Sequence, residues 1–146
     1  VNGNFSVSHD AINRATLALS KYQPLQALTG AFHGAAWCDI DGNIVTVCED
    51  VGRHNALDKL IGMLWPTKEH NTCIFKQPGF LLMSSRASYE IVQKAAKSGI
   101  SVVAAVSAPT SLAIDIAGDV GMTLIGFARE NRHVAYTHDY RLVEQG

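Results

Sequence analysis

The sequence predicts an α/β fold, a layered sandwich built on a mixed sheet. Three observations carry this. Short, fully apolar runs at Phe80–Met83, Ile100–Val106 and Met122–Phe127 have the length and composition of buried parallel strands. Stretches with helical spacing of apolar residues alternate with them, as in layered α/β domains. Asp39-Ile40-Asp41-Gly42-Asn43, between two strand-like runs, is a hairpin turn, because Asp-Gly supplies the positive φ that such turns require. The hairpin adds antiparallel pairing, so the sheet is mixed.

The elements follow in order. Ser8 and Asp10 open a helix to about Tyr22, with Ile12, Ala15, Leu19 and Tyr22 on one face and Gln23-Pro24 as its stop. Leu25 to Thr29 reads as a short helical piece. Ala31 to Asp39 reads as a strand, and Ile44 to Glu49, rich in β-branched residues, as its partner. A helix runs from Arg53 to Trp65, carrying Ala56, Leu57, Leu60, Ile61 and Leu64, and ends before Pro66. Thr67 to Gly79 is irregular, with Cys73-Ile74-Phe75 as a small edge piece. Tyr89, Val92, Ala95 and Ala96 mark a helix that ends at Ser98-Gly99. Ser111 to Ala117 is a helix closed near Gly118 or Gly121. Arg129 to Arg132 is a turn, His133 to Thr137 a last strand, and the tail from Asp139 is polar.

The chain has 146 residues, enough for one domain with a sizeable core. Hydrophobic residues make up 47% and charged residues 17%, a globular balance. No apolar run approaches the roughly 20 residues of a membrane-spanning helix. The net charge of -1 gives no support to non-specific binding of nucleic acid or of acidic membranes. The three cysteines, Cys38, Cys48 and Cys73, are widely spaced, with no C-x-x-C and no zinc-ligand spacing. Their odd number and the lack of a signal peptide favour a reducing cytoplasm. The chain begins at Val1, which reads as a processed or cut fragment.

Candidate chemistry gathers at strand ends. Open α/β sheets bind ligands outside the carboxyl ends of their parallel strands, beside helix N-termini that favour anions. Four such loops hold unusual polar residues: Asp50 to Asn55, Ser84 to Ser88, Ser107 to Ser111, and Arg129 to Arg132. Arg53, Arg86, Arg129 and Arg132 would bring positive charge to one edge, with serines as further donors, as in a phosphate or nucleotide cradle. The plainer reading stays open: Asp50 or Asn55 caps a helix, and each arginine is a solvated charge. Phe127 stacks on a base or fills the core. His33, in an apolar strand, is a hydrogen-bonded core residue or a ligand, whereas His54 lies in the polar loop beside Arg53. Without a basic neighbour in sequence, Cys38 and Cys48 read as packing residues. There is no nucleophile elbow, no Walker A loop and no G-x-G-x-x-G.

Two stretches carry a family resemblance: Thr29-Gly30-Ala31-Phe32-His33-Gly34-Ala35-Ala36 and Glu49-Asp50-Val51-Gly52-Arg53-His54-Asn55-Ala56-Leu57-Asp58-Lys59. With Ser84 to Glu90, Ala104 to Ala113 and Thr123 to Arg129, they closely resemble the C-terminal domain of the FdhD family, the formate dehydrogenase accessory proteins, over nearly the whole chain. The resemblance implies a sulfurtransferase. Such proteins take persulfide sulfur from a cysteine desulfurase. They pass it to the molybdenum bis(molybdopterin guanine dinucleotide) cofactor before that cofactor enters formate dehydrogenase. The family's sulfur-carrying cysteines lie in a C-x-x-C loop upstream. This chain has none, so it is expected to supply the cofactor-binding half, to lack the N-terminal domain, and to be inactive alone.

The family's guanine dinucleotide segment falls on Phe127, Ala128, Arg129, Glu130, Asn131 and Arg132, where Glu130-Asn131 departs from the glycine often found there. Asp50, Arg53, His54 and Arg86 join the expected site from their place at the same sheet edge. His33 joins because it belongs to the family motif. GDP is the expected analogue of the cofactor, and the resemblance also implies a cytoplasmic homodimer. The family's domain further resembles the cytidine deaminase fold, a three-layer α/β/α sandwich. Deaminase chemistry needs His-x-Glu and Pro-Cys-x-x-Cys; His33-Gly34-Ala35 lacks the glutamate, so no metal is expected. The alternative function is a non-catalytic docking module for formate dehydrogenase or the desulfurase.

Overall fold

β1 (Val7–Ser8) leads into α1 (His9–Leu19). Then come β2 (His33–Asp39), β3 (Ile44–Asp50), α2 (Arg53–Leu64), β4 (Gly79–Met83), α3 (Tyr89–Lys97), β5 (Val102–Ala105), α4 (Ser111–Val120), β6 (Thr123–Arg129) and β7 (Arg132–Thr137). A 3-10 turn at Asp139–Arg141 precedes β8 (Leu142–Val143). The structure is a computed structural model that describes residues 5–19, 33–50, 53–64, 78–84, 86–129 and 132–143. At 33, 53–54, 127–129, 132–133 and 143 it describes the backbone alone. The expected pieces at Leu25–Thr29 and Cys73–Phe75 lie outside these residues.

Six strands form one mixed sheet in the order β3-β2-β4-β5-β6-β7. β2 pairs antiparallel with both β3 and β4. β4, β5 and β6 run parallel, and β7 returns antiparallel to β6. Both faces are covered. On one, Leu57 and Leu60 of α2, Ile91 and Val92 of α3, and Ala113 and Ala117 of α4 pack on Trp37, Leu81, Met83 and Leu124. On the other, Ile12, Ala15 and Leu19 of α1 pack on Ala36, Phe80, Leu82 and Ile125. Successive residues of β4 thus enter opposite cores. That is why the run reads as continuously apolar: a strand covered on both faces has no polar side. The three-layer α/β/α sandwich is the expected architecture.

Local chemistry explains the joints. The Asp39 carboxylate accepts from the Asp41 and Asn43 amides at 3.0 and 2.9 Å, closing the hairpin around Gly42 at φ 88°. The Arg14 guanidinium donates to the Asp41 carbonyl and ties α1 to this turn. Gly99 at φ 86° follows α3, as expected, and Gly121 at φ 78° ends α4. Gly118 stays inside that helix. The polar tail departs most from expectation. Arg141 is only 3% exposed, and its guanidinium donates to Thr123 Oγ1 at 3.2 Å and to the carbonyl of Gly121, while lying over the Tyr140 ring. β8 then pairs with β1. No described helix is long and apolar enough to cross a membrane.

Cys38 is fully buried, and desolvation, with Asp39 adding to it, pushes its thiol far above the ordinary 9.0. The unfolded chain therefore releases this proton at a lower pH than the folded chain. The thiol contributes stability that is present below the unfolded value and lost as pH rises beyond it. Between about pH 8 and pH 10, the urea midpoint should fall less in Cys38→Ala than in wild type. Equal falls in the two proteins would reject this.

Candidate functional site

β3 and β4 are both antiparallel to β2, so β3, β4, β5 and β6 all point the same way. Their carboxyl ends share one edge of the sheet, and the four polar loops named from the sequence all leave from it. The edge is long. At about 4.8 Å per strand, β3 and β6 stand roughly 19 Å apart, and β4 and β6 roughly 10 Å. The expected residues therefore occupy an extended ledge rather than one cluster.

At one end His33 stands directly opposite Asp50 in the β2–β3 ladder. Arg53 and His54 begin α2 just beyond. The Asp50 carboxylate is already engaged: Lys59 Nζ lies 2.6 Å from Oδ2, and Asn55 Nδ2 3.4 Å from Oδ1. Lys59 also donates to the Glu49 carbonyl at 3.2 Å. Asp50 thus fastens the first turns of α2 to the end of β3, which realises much of the helix-anchoring reading of this loop.

Next along the ledge is Ser84, which opens the second of the polar loops read from the sequence. Its Oγ accepts from the Gly34 amide at 2.7 Å, and its own amide donates to the Gly34 carbonyl at 3.0 Å. This pair of hydrogen bonds holds β2 to β4 one residue past the ladder and fixes the strand end that carries His33. Ser84→Ala leaves the Gly34 amide without its acceptor. It should cost about 1–2 kcal/mol, read as a lower urea midpoint with unchanged slope; an unchanged midpoint would show that water replaces the hydroxyl at no cost.

Arg86 follows, exposed, two residues before Ser88, the N-cap of α3. Ser88 occupies that N-cap position, but its side chain makes no cap hydrogen bond, and its buried hydroxyl has no hydrogen-bond partner among the described residues. The neighbouring helix α4 is capped conventionally, Thr110 Oγ1 accepting from the Ala113 amide at 3.2 Å. The Thr110 amide donates to the Ala87 carbonyl at 3.1 Å. Two helix N-termini are thereby tied side by side at the ledge, each a source of positive potential.

At the far end β6 overruns β5. Ala104 pairs with Ile125, so Phe127 to Arg129 extend past the end of β5 with β7 alone beside them. The ladder here is irregular in two opposite senses. Leu124 pairs with Thr137 but Ile125 with Ala135, which leaves Tyr136 as an extra residue on β7. Gly126 pairs with Val134 but Arg129 with Arg132, so Phe127 and Ala128 oppose His133 alone. The second bulge places Arg129 directly opposite Arg132 on the last rung. The expected turn from Arg129 to Arg132 is therefore tighter, with both arginines inside the ladder and Glu130 and Asn131 outside the described residues. Bulges were legible only as a hint: a glycine inside a strand pattern marks one, and Gly126 is that glycine.

The described cysteines are poor nucleophiles. Cys38 is sealed in the core, and Cys48, 8% exposed, lies with Sγ 3.2 Å from Met63 Sδ. Desolvation raises the Cys48 thiol, opposed in part by Lys59. Both match the packing role read from the sequence, while Cys73 lies outside the described residues.

The comparisons with known proteins agree with this architecture. Residues 1–143 match the model of the FdhD/NarQ family. The chain is 49% identical over 142 residues to the sulfur carrier protein FdhD of Xanthomonas euvesicatoria pv. vesicatoria, covering 97% of this chain and 49% of that protein. It is 54% identical over 127 residues to the sulfur carrier protein FdhD of Burkholderia cenocepacia, covering 87% of this chain and 44% of that protein. A crystal structure from Desulfotalea psychrophila, of a protein described as a formate dehydrogenase accessory protein, superposes with a TM-score of 0.83 at 24% identity, over 97% of this chain and 58% of that one. That likeness is one of fold. The chain spans about half the length of the curated relatives it matches. With the family model covering residues 1–143 and relatives at about half identity over most of the chain, the chain belongs to the FdhD/NarQ family.

Proposed function

We propose that this chain is the guanine dinucleotide-binding half of a sulfur carrier that serves a formate dehydrogenase. The substrate is the molybdenum bis(molybdopterin guanine dinucleotide) cofactor, and the sulfur comes from a cysteine desulfurase. In this reading the protein works in the cytoplasm as a homodimer, with the desulfurase and formate dehydrogenase as partners.

The observation that carries the reading is the Arg129–Arg132 rung. Residues directly opposite in an antiparallel ladder have Cβ atoms about 5 Å apart, and like charges there repel. A diphosphate between two guanidinium groups turns that repulsion into paired, charge-assisted hydrogen bonds. The length of the ledge fits an elongated dinucleotide better than a compact metabolite. Arg86 and two helix N-termini continue the positive surface inward along it. Sulfur carriage belongs, on this proposal, to the part of the relatives that this chain does not span. A persulfide carrier needs an accessible thiolate, and Cys38 and Cys48 are buried with raised thiols.

Titration calorimetry of this chain with GDP, at low and moderate salt, tests the reading. It predicts micromolar binding that weakens as salt rises. An absence of binding at low salt would remove the nucleotide-binding role from these residues and favour the docking module.

A further inference from the structure

The residues around Gly126 form a second feature of the far end of the ledge. Gly126 is buried in β6, and a Cβ placed on it would stand 2.7 Å from Pro109 Cδ, 2.8 Å from Tyr136 Cε2 and 3.3 Å from the Ser107 carbonyl. Two rings therefore close on one bare Cα. Pro109 comes from the loop after β5, at the carboxyl edge. Tyr136 comes from β7, two residues beyond Val134, which pairs with Gly126, so that strand alternation sets it on the same face as that glycine. Neither ring is sealed off; both Pro109 and Tyr136 are half-buried. No hydrogen bond within the described residues claims the Tyr136 hydroxyl.

We infer that Tyr136 and Pro109, seated on Gly126, form the platform on which the purine base of the bound nucleotide stacks. The inference rests on the nucleotide reading above and deepens it by assigning the base. From Gly126 to the Arg129 rung is three strand residues, about 10 Å at the usual rise. This separation suits a nucleoside diphosphate with its phosphates on the arginines and its base on the rings. Aromatic faces hold bases by stacking with little demand for a particular hydrogen-bond pattern. A half-buried tyrosine seated against the bare Cα of a glycine offers such a face with only two side-chain torsions to order.

Calorimetric titration of wild type, Tyr136→Leu and Tyr136→Phe, each with GDP and with inorganic pyrophosphate, separates the base from the phosphates. Tyr136→Leu should weaken GDP on the order of tenfold and leave pyrophosphate unchanged; Tyr136→Phe should match wild type with both ligands. Unchanged pyrophosphate binding also certifies that the leucine variant folds with its turn in place. Unchanged GDP binding in Tyr136→Leu overturns the platform. So does a parallel loss of both ligands, because Tyr136 would then only shape the turn. Equal affinity of wild type for GDP and pyrophosphate overturns the platform while sparing the arginine cradle, whereas a wild type that takes neither ligand overturns the nucleotide reading and the platform with it.

Discussion

Replacing Arg129 and Arg132 together by alanine should abolish GDP binding by this chain, and each single replacement should weaken it by about ten- to a hundredfold. The range follows from the loss of a charge-assisted hydrogen bond, worth about 1.5–3 kcal/mol. Lysine at either position keeps the charge but loses the fork that grips two phosphate oxygens, so Arg129→Lys should fall between wild type and alanine. A second signature comes from the ligand-free protein. The two residues face each other on one rung, and like charges so placed destabilise a hairpin by up to about 1 kcal/mol. The alanine variants should therefore melt no lower than wild type without ligand, and should lose the stabilisation that saturating GDP confers on wild type. A double variant that binds GDP like wild type would show that the diphosphate sits elsewhere. A variant that melts well below wild type would show that these arginines brace the hairpin.

Gly42→Ala should cost about 3 kcal/mol or more, the sum of a forced left-handed backbone and a steric overlap. Gly42 sits at φ 88° in the β2–β3 turn. A Cβ there would collide with the Ala11 backbone of α1. The turn and the helix meet so closely because Arg14 fastens one to the other. For a domain of this size the expected fall in Tm is on the order of 6–12 °C. Gly62 is the internal control: it lies in α2 with nothing within 4 Å of the corresponding Cβ. Gly62→Ala should raise stability by about 0.5–1 kcal/mol, since alanine is the better helix former. Equal effects at the two glycines would show that α1 and the hairpin do not pack as described.

The hairpin, the helix stops and the buried strands were legible because each is a local pattern. Asp39 to Asn43 carries its own turn chemistry, and Gly99 its own helix end. Phe80 to Met83 is apolar throughout because two helical layers cover it. The placement of the polar loops along one edge was legible in part, because parallel strands joined by helices leave little choice of direction. The order of strands was not. β2 lies between β3 and β4, so the Asp50 loop and the Arg129 turn, expected to share one anion cradle, stand at opposite ends of the ledge. Asp50 reads in the sequence as a helix cap or as part of the cofactor site, yet Lys59, nine residues on, occupies it. The bond of Ser84 to Gly34 leaves no local signal, because the two residues are 50 apart in the chain.

The alternation of elements, the turn types and the family membership are set by residues adjacent in the chain. Short-range periodicity and backbone preference act within a few residues, so they can be read from a string of letters. The register of β6 against β7, and with it the facing of Arg129 by Arg132, depends on where two bulges fall. Arg141, polar in a polar tail, becomes buried because Gly121 and Thr123 turn their oxygens toward it across the sheet. Tyr136 and Pro109, from two different segments, both close on Gly126 of a third. Each of these is a contact between distant segments, and its geometry is decided by the packing of the whole domain: one residue of slip in a strand moves every side chain beyond it to the opposite face.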